Sequence, residues 1–250
     1  MASTCGGDRA AVELPACQRD FLLELRKHAR KLVLVLTSGS ALAVPEAQEL
    51  CDAVLQVWYP GCEGGRAVAD VLFGAVSPSG RLPVTVPRRT ADLPPFADYH
   101  MRGRTYRFAE IEPLYPFGFG LSYARLSYGP LALGAGRLAA TQELTVRTTV
   151  ANASDGAADE TVQCYLIPPR RWPEAPRATL IGFQKVPVPA RGQVAVEFKL
   201  PAGLFRQVDR AGGSVWVPGD YEIELGPASP GPRAQALGAP APVRAQIVLV

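Results

Sequence analysis

The sequence predicts two architectures in one chain, α/β and then all-β. Residues 1–128 read as a three-layer α/β/α sandwich and residues 129–250 as a β-sandwich. Three observations carry that expectation. Apolar strand-like runs alternate with helical patterns up to about residue 90, the grammar of an α/β layer structure. From about residue 129 the chain changes to short strands of period two, separated by proline and glycine. Between them lies Leu114-Tyr115-Pro116-Phe117-Gly118-Phe119-Gly120-Leu121-Ser122-Tyr123, which on composition is a packed turn joining two units.

The elements follow in order. Arg19 to Lys31 reads as a helix with Phe21, Leu22 and Leu25 on one face. Leu32 to Leu36 is a continuous apolar run, suited to a parallel strand covered on both faces. Thr37-Ser38-Gly39-Ser40 ends it, and a short helix is expected near Pro45. Val54 to Trp58 is the next strand, Tyr59-Pro60-Gly61 a turn, and Gly64 to Phe73 a helix with Val68, Leu72 and Phe73 facing inward. Past a boundary near Tyr128-Gly129-Pro130, strands are expected at Glu143 to Val150, Thr161 to Ile167, Gln193 to Leu200, Gly219 to Leu225 and Val243 to Val250. Asn152 to Asp159 reads as a polar turn, and the Pro/Ala/Gly stretch from Gly226 to Pro242 as a loose loop.

Composition narrows the function classes. A net charge of +3 on 250 residues, with arginines dispersed, gives no nucleic-acid footprint. No apolar stretch approaches the length of a membrane span, and the first residues lack the apolar core of a signal peptide. Five cysteines without CxxC spacing, and only His28 and His100, argue against a metal site.

Trp58-Tyr59-Pro60-Gly61-Cys62-Glu63 sits where a strand end meets a helix start, the place where ligands bind in open α/β sheets. Trp58 and Tyr59 suit either an apolar face for a sugar ring or a core aromatic pair. Glu63 is a candidate acid at the mouth, and Asp8 with Arg9 reads equally as a surface pair. Glu46, Glu49, Glu110 and Glu112 read as solvated groups; Arg102, Arg104 and Arg107 read as solvated or salt-bridged ahead of the alternative, contact with a carbohydrate or an acidic partner. Ser38 lacks the GxSxG elbow of a serine hydrolase. Asn152-Ala153-Ser154 is a formal glycosylation sequon in an expected turn.

The motifs, taken in order, resemble glycoside hydrolase family 3. They are Trp58-Tyr59-Pro60-Gly61, Glu63-Gly64-Gly65, Ala69 to Gly74, Pro78 to Pro87 and the segment Leu114 to Tyr123. Met101-Arg102-Gly103-Arg104-Thr105-Tyr106-Arg107 is similar to the β-xylosidase branch. Gly182 to Val186 and Val217 to Tyr221 resemble the fibronectin type III-like domain that follows in these enzymes, so the likeness covers about residues 8–226. The resemblance implies retaining hydrolysis of β-linked xylosyl or related residues, a carbohydrate partner such as a xylo-oligosaccharide, and no cofactor. It implies that the α/β sandwich is partial, incomplete at its N-terminus. It suggests a secreted or lysosomal setting where the chain itself suggests the cytosol, so the compartment stays open, as does oligomeric state.

A retaining glycosidase needs two carboxyl groups. The family's nucleophilic Asp lies in a preceding barrel domain, and its acid/base Glu stands shortly before an Asp-Arg pair. Here Cys5 takes that position before Asp8-Arg9. A thiol is a single weak donor with an ordinary pKa of ~8.5, a poor stand-in for a carboxyl. The resemblance thus leaves no catalytic residue in this chain, makes Asp8, Arg9, Trp58, Tyr59 and Glu63 a sugar-site edge, and predicts an inactive polypeptide. The rival expectation is a non-catalytic carbohydrate- or protein-binding module derived from the family.

Overall fold

The leucine-valine run around residue 34 forms half of a small parallel sheet. In the computed structural model, which describes residues 9–169 and 175–250, helix α1 (Ala16–His28) precedes strand β1 (Val33–Leu36). Helix α2 (Ala47–Leu50), strand β2 (Ala53–Gln56) and helix α3 (Gly64–Leu72) follow. β1 and β2 pair in parallel with Val33 opposite Ala53 and Leu36 opposite Gln56.

One face of this pair is covered and the other is open. Leu34 and Leu36 pack with Leu22 of α1, Val44 and Ala47. Successive strand side chains point to opposite faces, and Val33 and Val35 are 42% and 38% exposed. Burial on both faces is therefore corrected. Phe21, Leu72 and Phe73 are also exposed rather than inward-facing, Phe73 by 88%. Two strands offer too little surface to cover every apolar residue of three helices.

The amino end of the sheet is clamped by one carboxylate. Asp52 accepts from Lys31 Nζ at 2.6 Å and from the Leu32 amide at 2.9 Å, and it pairs with Arg26 at 3.3 Å. The Lys31 and Leu32 bonds hold its carboxyl down to about 2. The end that carries the candidate site is the opposite one.

A single-turn helix, α4 (Thr105–Phe108), leads to the aromatic-glycine run. Strands β3 (Leu126–Tyr128), β4 (Ala132–Leu133), β5 (Arg137–Leu138), β6 (Glu143–Asn152), β7 (Ala158–Ile167), β8 (Thr179–Val188) and β9 (Gln193–Pro201) follow. The chain ends with β10 (Gln207–Val208), β11 (Ser214–Val215), β12 (Gly219–Gly226), the one-turn α5 (Arg233–Ala236) and β13 (Val243–Leu249). One sheet has the order β5-β13-β12-β7-β8. In the other, β6 carries β9 along one side and β3 and β4 along the other.

The alternation in Glu143 to Asn152 puts Leu144, Val146 and Val150 in the core, each fully buried. They meet Val162, Cys164, Leu166, Ile223, Leu225 and Ile247 from the facing sheet. This is the two-sheet packing that period-two patterning specifies. β8 is the strand that the pattern concealed. Gly182 and Pro187 interrupt its alternation, and Pro187 is tolerated because β8 is an edge strand.

The stretch from Gly226 to Pro242 is not loose. Ala228, Ala234 and Ala239 are buried against Phe119, with Leu82 and Tyr115 alongside. Arg233 donates to Leu114 O at 3.2 Å and to Gln48 Oε1 of α2 at 2.9 Å. Small side chains let this segment lie flat on the aromatic run, and that use of alanine has the same composition as a flexible linker.

The seam between the two architectures is made by the run itself. Tyr106 stacks on Phe117 at 4.7 Å and meets Tyr165 edge-on at 5.7 Å. Gln163 Nε2 donates to Gly118 O at 3.1 Å and Pro227 O at 2.6 Å, while its Oε1 accepts from the Tyr165 hydroxyl at 2.6 Å.

Candidate sugar-facing rim

Parallel pairing brings the carboxyl ends of β1 and β2 together, and the Val57 amide continues the ladder to Leu36 O at 2.9 Å. Two loops leave this edge. The first is Thr37 to Ala41, fastened by Ser38 Oγ, which donates to Ser40 O at 2.7 Å and accepts from Gln56 Nε2 at 3.1 Å. The second is Trp58 to Glu63, which delivers the chain into α3.

Arg9 reaches the first loop from outside the sheet. Its Nη2 donates to Ser40 Oγ at 2.5 Å and to Ala41 O at 2.9 Å. Tyr59 reaches the same loop. A Cβ on Gly39 would lie 2.7 Å from the Tyr59 ring, so only glycine lets the aromatic settle there. Tyr59 remains 76% exposed. Arg9 and Tyr59, fifty positions apart in sequence, thus meet one loop at the strand ends.

Trp58 is half-buried and has φ of +56°. A left-handed backbone costs a non-glycine residue on the order of 1–3 kcal/mol and persists where surroundings impose it. Glu63 is exposed and stands at the N-cap of α3, although its side chain does not cap the helix. Gly64 is buried directly against Pro60, which fixes the sharp entry into α3. The rim therefore carries a guanidinium, hydroxyls, aromatic faces and the Glu63 carboxylate.

The segment carrying Arg9 is held from behind by a network the sequence did not announce. Glu13 accepts from the Thr90 amide at 2.6 Å and from the Thr90 hydroxyl at 2.5 Å, and that hydroxyl accepts from the Val12 amide at 2.9 Å. Partial burial pushes the Glu13 carboxyl up, but the Thr90 bonds outweigh it and hold the group below its usual value. Seventy-seven residues separate the partners, and no local pattern signals such a pair.

Cys5 and Asp8 lie outside the described residues. Asn152, the asparagine of the sequon, belongs to the sandwich. It is 2% exposed at the end of β6. Its Nδ2 donates to Gly156 O at 2.8 Å, and its Oδ1 accepts from the Ser154 amide at 2.8 Å. The side chain braces the turn from within. Arg104 is likewise structural, donating to the carbonyls of Pro95, Asp98 and His100. Among the described residues, no group of three or more His, Cys, Asp and Glu gathers, and no helix is long and apolar enough to cross a membrane.

The rim thus gathers aromatic faces, hydroxyls and charged groups at the carboxyl ends of two parallel strands. Residues 2–123 match the glycosyl hydrolase family 3 C-terminal domain, and residues 160–229 match a fibronectin type III-like domain. A xylan 1,4-beta-xylosidase from Xylanibacter ruminicola is 39% identical over 225 residues, covering 90% of this chain and 26% of that protein. A periplasmic beta-glucosidase from Salmonella typhimurium is 32% identical, covering 77% of this chain and 27% of that protein.

Among solved structures, a b-glucosidase from Erythrobacter marinus superposes with a TM-score of 0.83 at 33% identity, over 100% of this chain and 32% of that one. A beta-glucosidase from Listeria innocua in complex with glucose gives a TM-score of 0.82 at 28% identity, over 97% and 34% of the two chains. The chain spans about a quarter to a third of the length of these relatives. With both of its architectures matched in order, the chain belongs to glycosyl hydrolase family 3, as the C-terminal α/β domain followed by a fibronectin type III-like domain.

Proposed function

We propose that these 250 residues supply the non-barrel wall of a β-xylosidase-like sugar site, and not its reacting carboxylates. In this reading residues 1–128 form the sugar-facing α/β unit and residues 129–250 its supporting sandwich. Trp58 and Tyr59 cover the apolar face of a xylosyl ring, while Asp8, Arg9 and Glu63 bond its hydroxyls. The observation that carries the reading is the meeting of Arg9 and Tyr59 on the loop at the carboxyl ends of β1 and β2. Retaining hydrolysis requires two carboxyl groups about 5–5.5 Å apart, and Glu63 is the carboxylate this rim offers among the described residues. The full reaction is then hydrolysis of β-linked xylosyl residues, completed by a domain bearing the other groups.

The polypeptide of 250 residues is expected to show no turnover of aryl β-xylosides or aryl β-glucosides. Turnover that survives purification and disappears in Glu63→Gln would move catalysis onto Glu63 and overturn the reading. A second reading, a binding module without catalysis, rests on Glu63 being the rim's carboxylate among the described residues. Titration with xylo-oligosaccharides tests it: saturable binding that weakens in Tyr59→Ala supports a sugar wall, and a flat titration leaves a protein-interaction module.

A further inference from the structure

Ser38, in the first rim loop, has no part in the proposed activity. It follows β1 and is half-buried, whereas Gly39 and Ser40 beside it are exposed. Its hydroxyl serves as donor and acceptor at once, donating to Ser40 O at 2.7 Å and accepting from Gln56 Nε2 at 3.1 Å. A hydroxyl engaged in this way, with no base to take its proton, is not an activated nucleophile. It is a link between a strand and a loop.

Gln56 is the strand end of that link. It is the last residue of β2 and pairs across the parallel ladder with Leu36, which is buried. The Val57 amide continues the ladder on Leu36 O at 2.9 Å. Gln56 therefore stands on backbone that the sheet holds, while Thr37 to Ala41 has left the sheet. A surface loop of this kind moves more easily than the strands it joins. Two bonds, Gln56 to Ser38 and Ser38 to Ser40, tie its shape to the end of β2.

The rim groups rest on the residues that this link places. Ser40 is held through its carbonyl by Ser38 and through its hydroxyl by Arg9, whose Nη2 also donates to Ala41 O at 2.9 Å. Gly39, between the two serines, is the residue against which the Tyr59 ring lies. We propose that Ser38 and Gln56 are positioning residues that couple Arg9 to Tyr59 through the loop Thr37 to Ala41. Neither needs to touch a sugar. Together they set the guanidinium and the aromatic ring as one unit, so a change at one is felt at the other. The effect on binding rests on the reading of this rim as a sugar wall; the coupling itself does not.

Nuclear magnetic resonance of the whole chain tests the coupling without a sugar. Arg9→Gln should shift the Tyr59 ring signals in the otherwise native chain and leave them in place in a Ser38→Ala background. Ser38→Thr keeps the hydroxyl and should restore the cross-effect. Gln56→Met keeps the side-chain length without its donor and should abolish the effect as Ser38→Ala does, a second route if one variant loosens the loop. A merely structural role would move signals in each variant, but would not make the Arg9 effect depend on Ser38. A cross-effect that persists in Ser38→Ala, or one absent from the native chain, would overturn the proposal. Titration with xylobiose then reads the consequence. Ser38→Ala should weaken binding about three- to tenfold, as loss of one hydrogen bond does. A flat titration of the native chain sinks the sugar reading, while the ring signals still decide the coupling. Saturable binding that Ser38→Ala leaves unchanged counts against the coupling.

Discussion

Arg81 and Glu160 form an ion pair across the seam, Nη2 to Oε2 at 2.6 Å, with 8% and 1% of their side chains exposed. The Tyr128 hydroxyl donates to the other carboxylate oxygen at 2.8 Å. Burial pushes the Glu160 carboxyl up, against the pull of Arg81 and Tyr128. The pair joins the α/β part to the sandwich, and its value depends on both partners being present.

Removing one partner should therefore hurt more than removing both. Arg81→Ala leaves a buried carboxylate unpaired, a change that typically costs about 3–5 kcal/mol. Arg81→Met with Glu160→Leu should recover most of that loss. Because an orphaned Glu160 can take up a proton, the Arg81→Ala defect should shrink from pH 8 to pH 5. Urea unfolding at the two pH values checks this; a double variant no more stable than the single would show that the seam is held elsewhere.

Gly118 sets how closely the aromatic run approaches β7. Its φ is +78°, and a Cβ there would collide with the Gln163 amide that bonds the Gly118 and Pro227 carbonyls. Gly118→Ala combines a disfavoured left-handed backbone with loss of buried hydrogen bonds, each on the order of 1–2 kcal/mol. A fall in melting temperature with intact far-ultraviolet circular dichroism is the expected result. An unchanged melting temperature would mean that Gln163 swings aside at no cost.

Period-two patterning made β6, β9 and β12 legible because each has one face in the core, and the strand-end position of Trp58 and Tyr59 was legible from the turn chemistry after β2. Phe73 could not be read, since its exposure depends on what a two-stranded sheet can cover and not on helical spacing. The Gly226 to Pro242 strap was misread for a similar reason: alanine packs flat against Phe119 with the composition of a linker. Arg9, Ser40 and Tyr59 meet only through tertiary structure, and the Glu13–Thr90 brace is longer in sequence than any pattern reaches.

Glu224 gives the fold a pH dependence of a definite sign. Its carboxyl is pushed up to about 7, chiefly by burial, although Arg244 stands at 2.5 Å. Arg244 is itself 47% exposed, so water screens the attraction that would offset desolvation. A carboxyl raised in the folded state contributes stability below its unfolded pKa, near 4.5, and loses it as pH rises through about 7. Glu224→Gln should remove this slope and raise the melting temperature relative to wild type at pH 8 by a few degrees, about 2–4 °C for each kcal/mol recovered. Parallel stability–pH curves for the two proteins between pH 5 and 8 would show that Arg244 keeps Glu224 ionised.

Asn152 yields the last prediction because its sequon and its packing pull in opposite directions. Its amide bonds Gly156 O, and its carbonyl oxygen receives the Ser154 amide, inside a turn that is 2% exposed at this residue. Passage through a glycosylating secretory pathway should yield no mass increment at Asn152 in the folded product. Asn152→Ala should instead destabilise by about 1–3 kcal/mol, the cost of leaving buried turn groups unpaired. Intact-mass spectrometry and thermal unfolding check the two halves separately. A glycosylated, fully stable product would mean that the turn opens to expose the amide, so the hydrogen bonds to Gly156 and Ser154 would not hold β6 to β7.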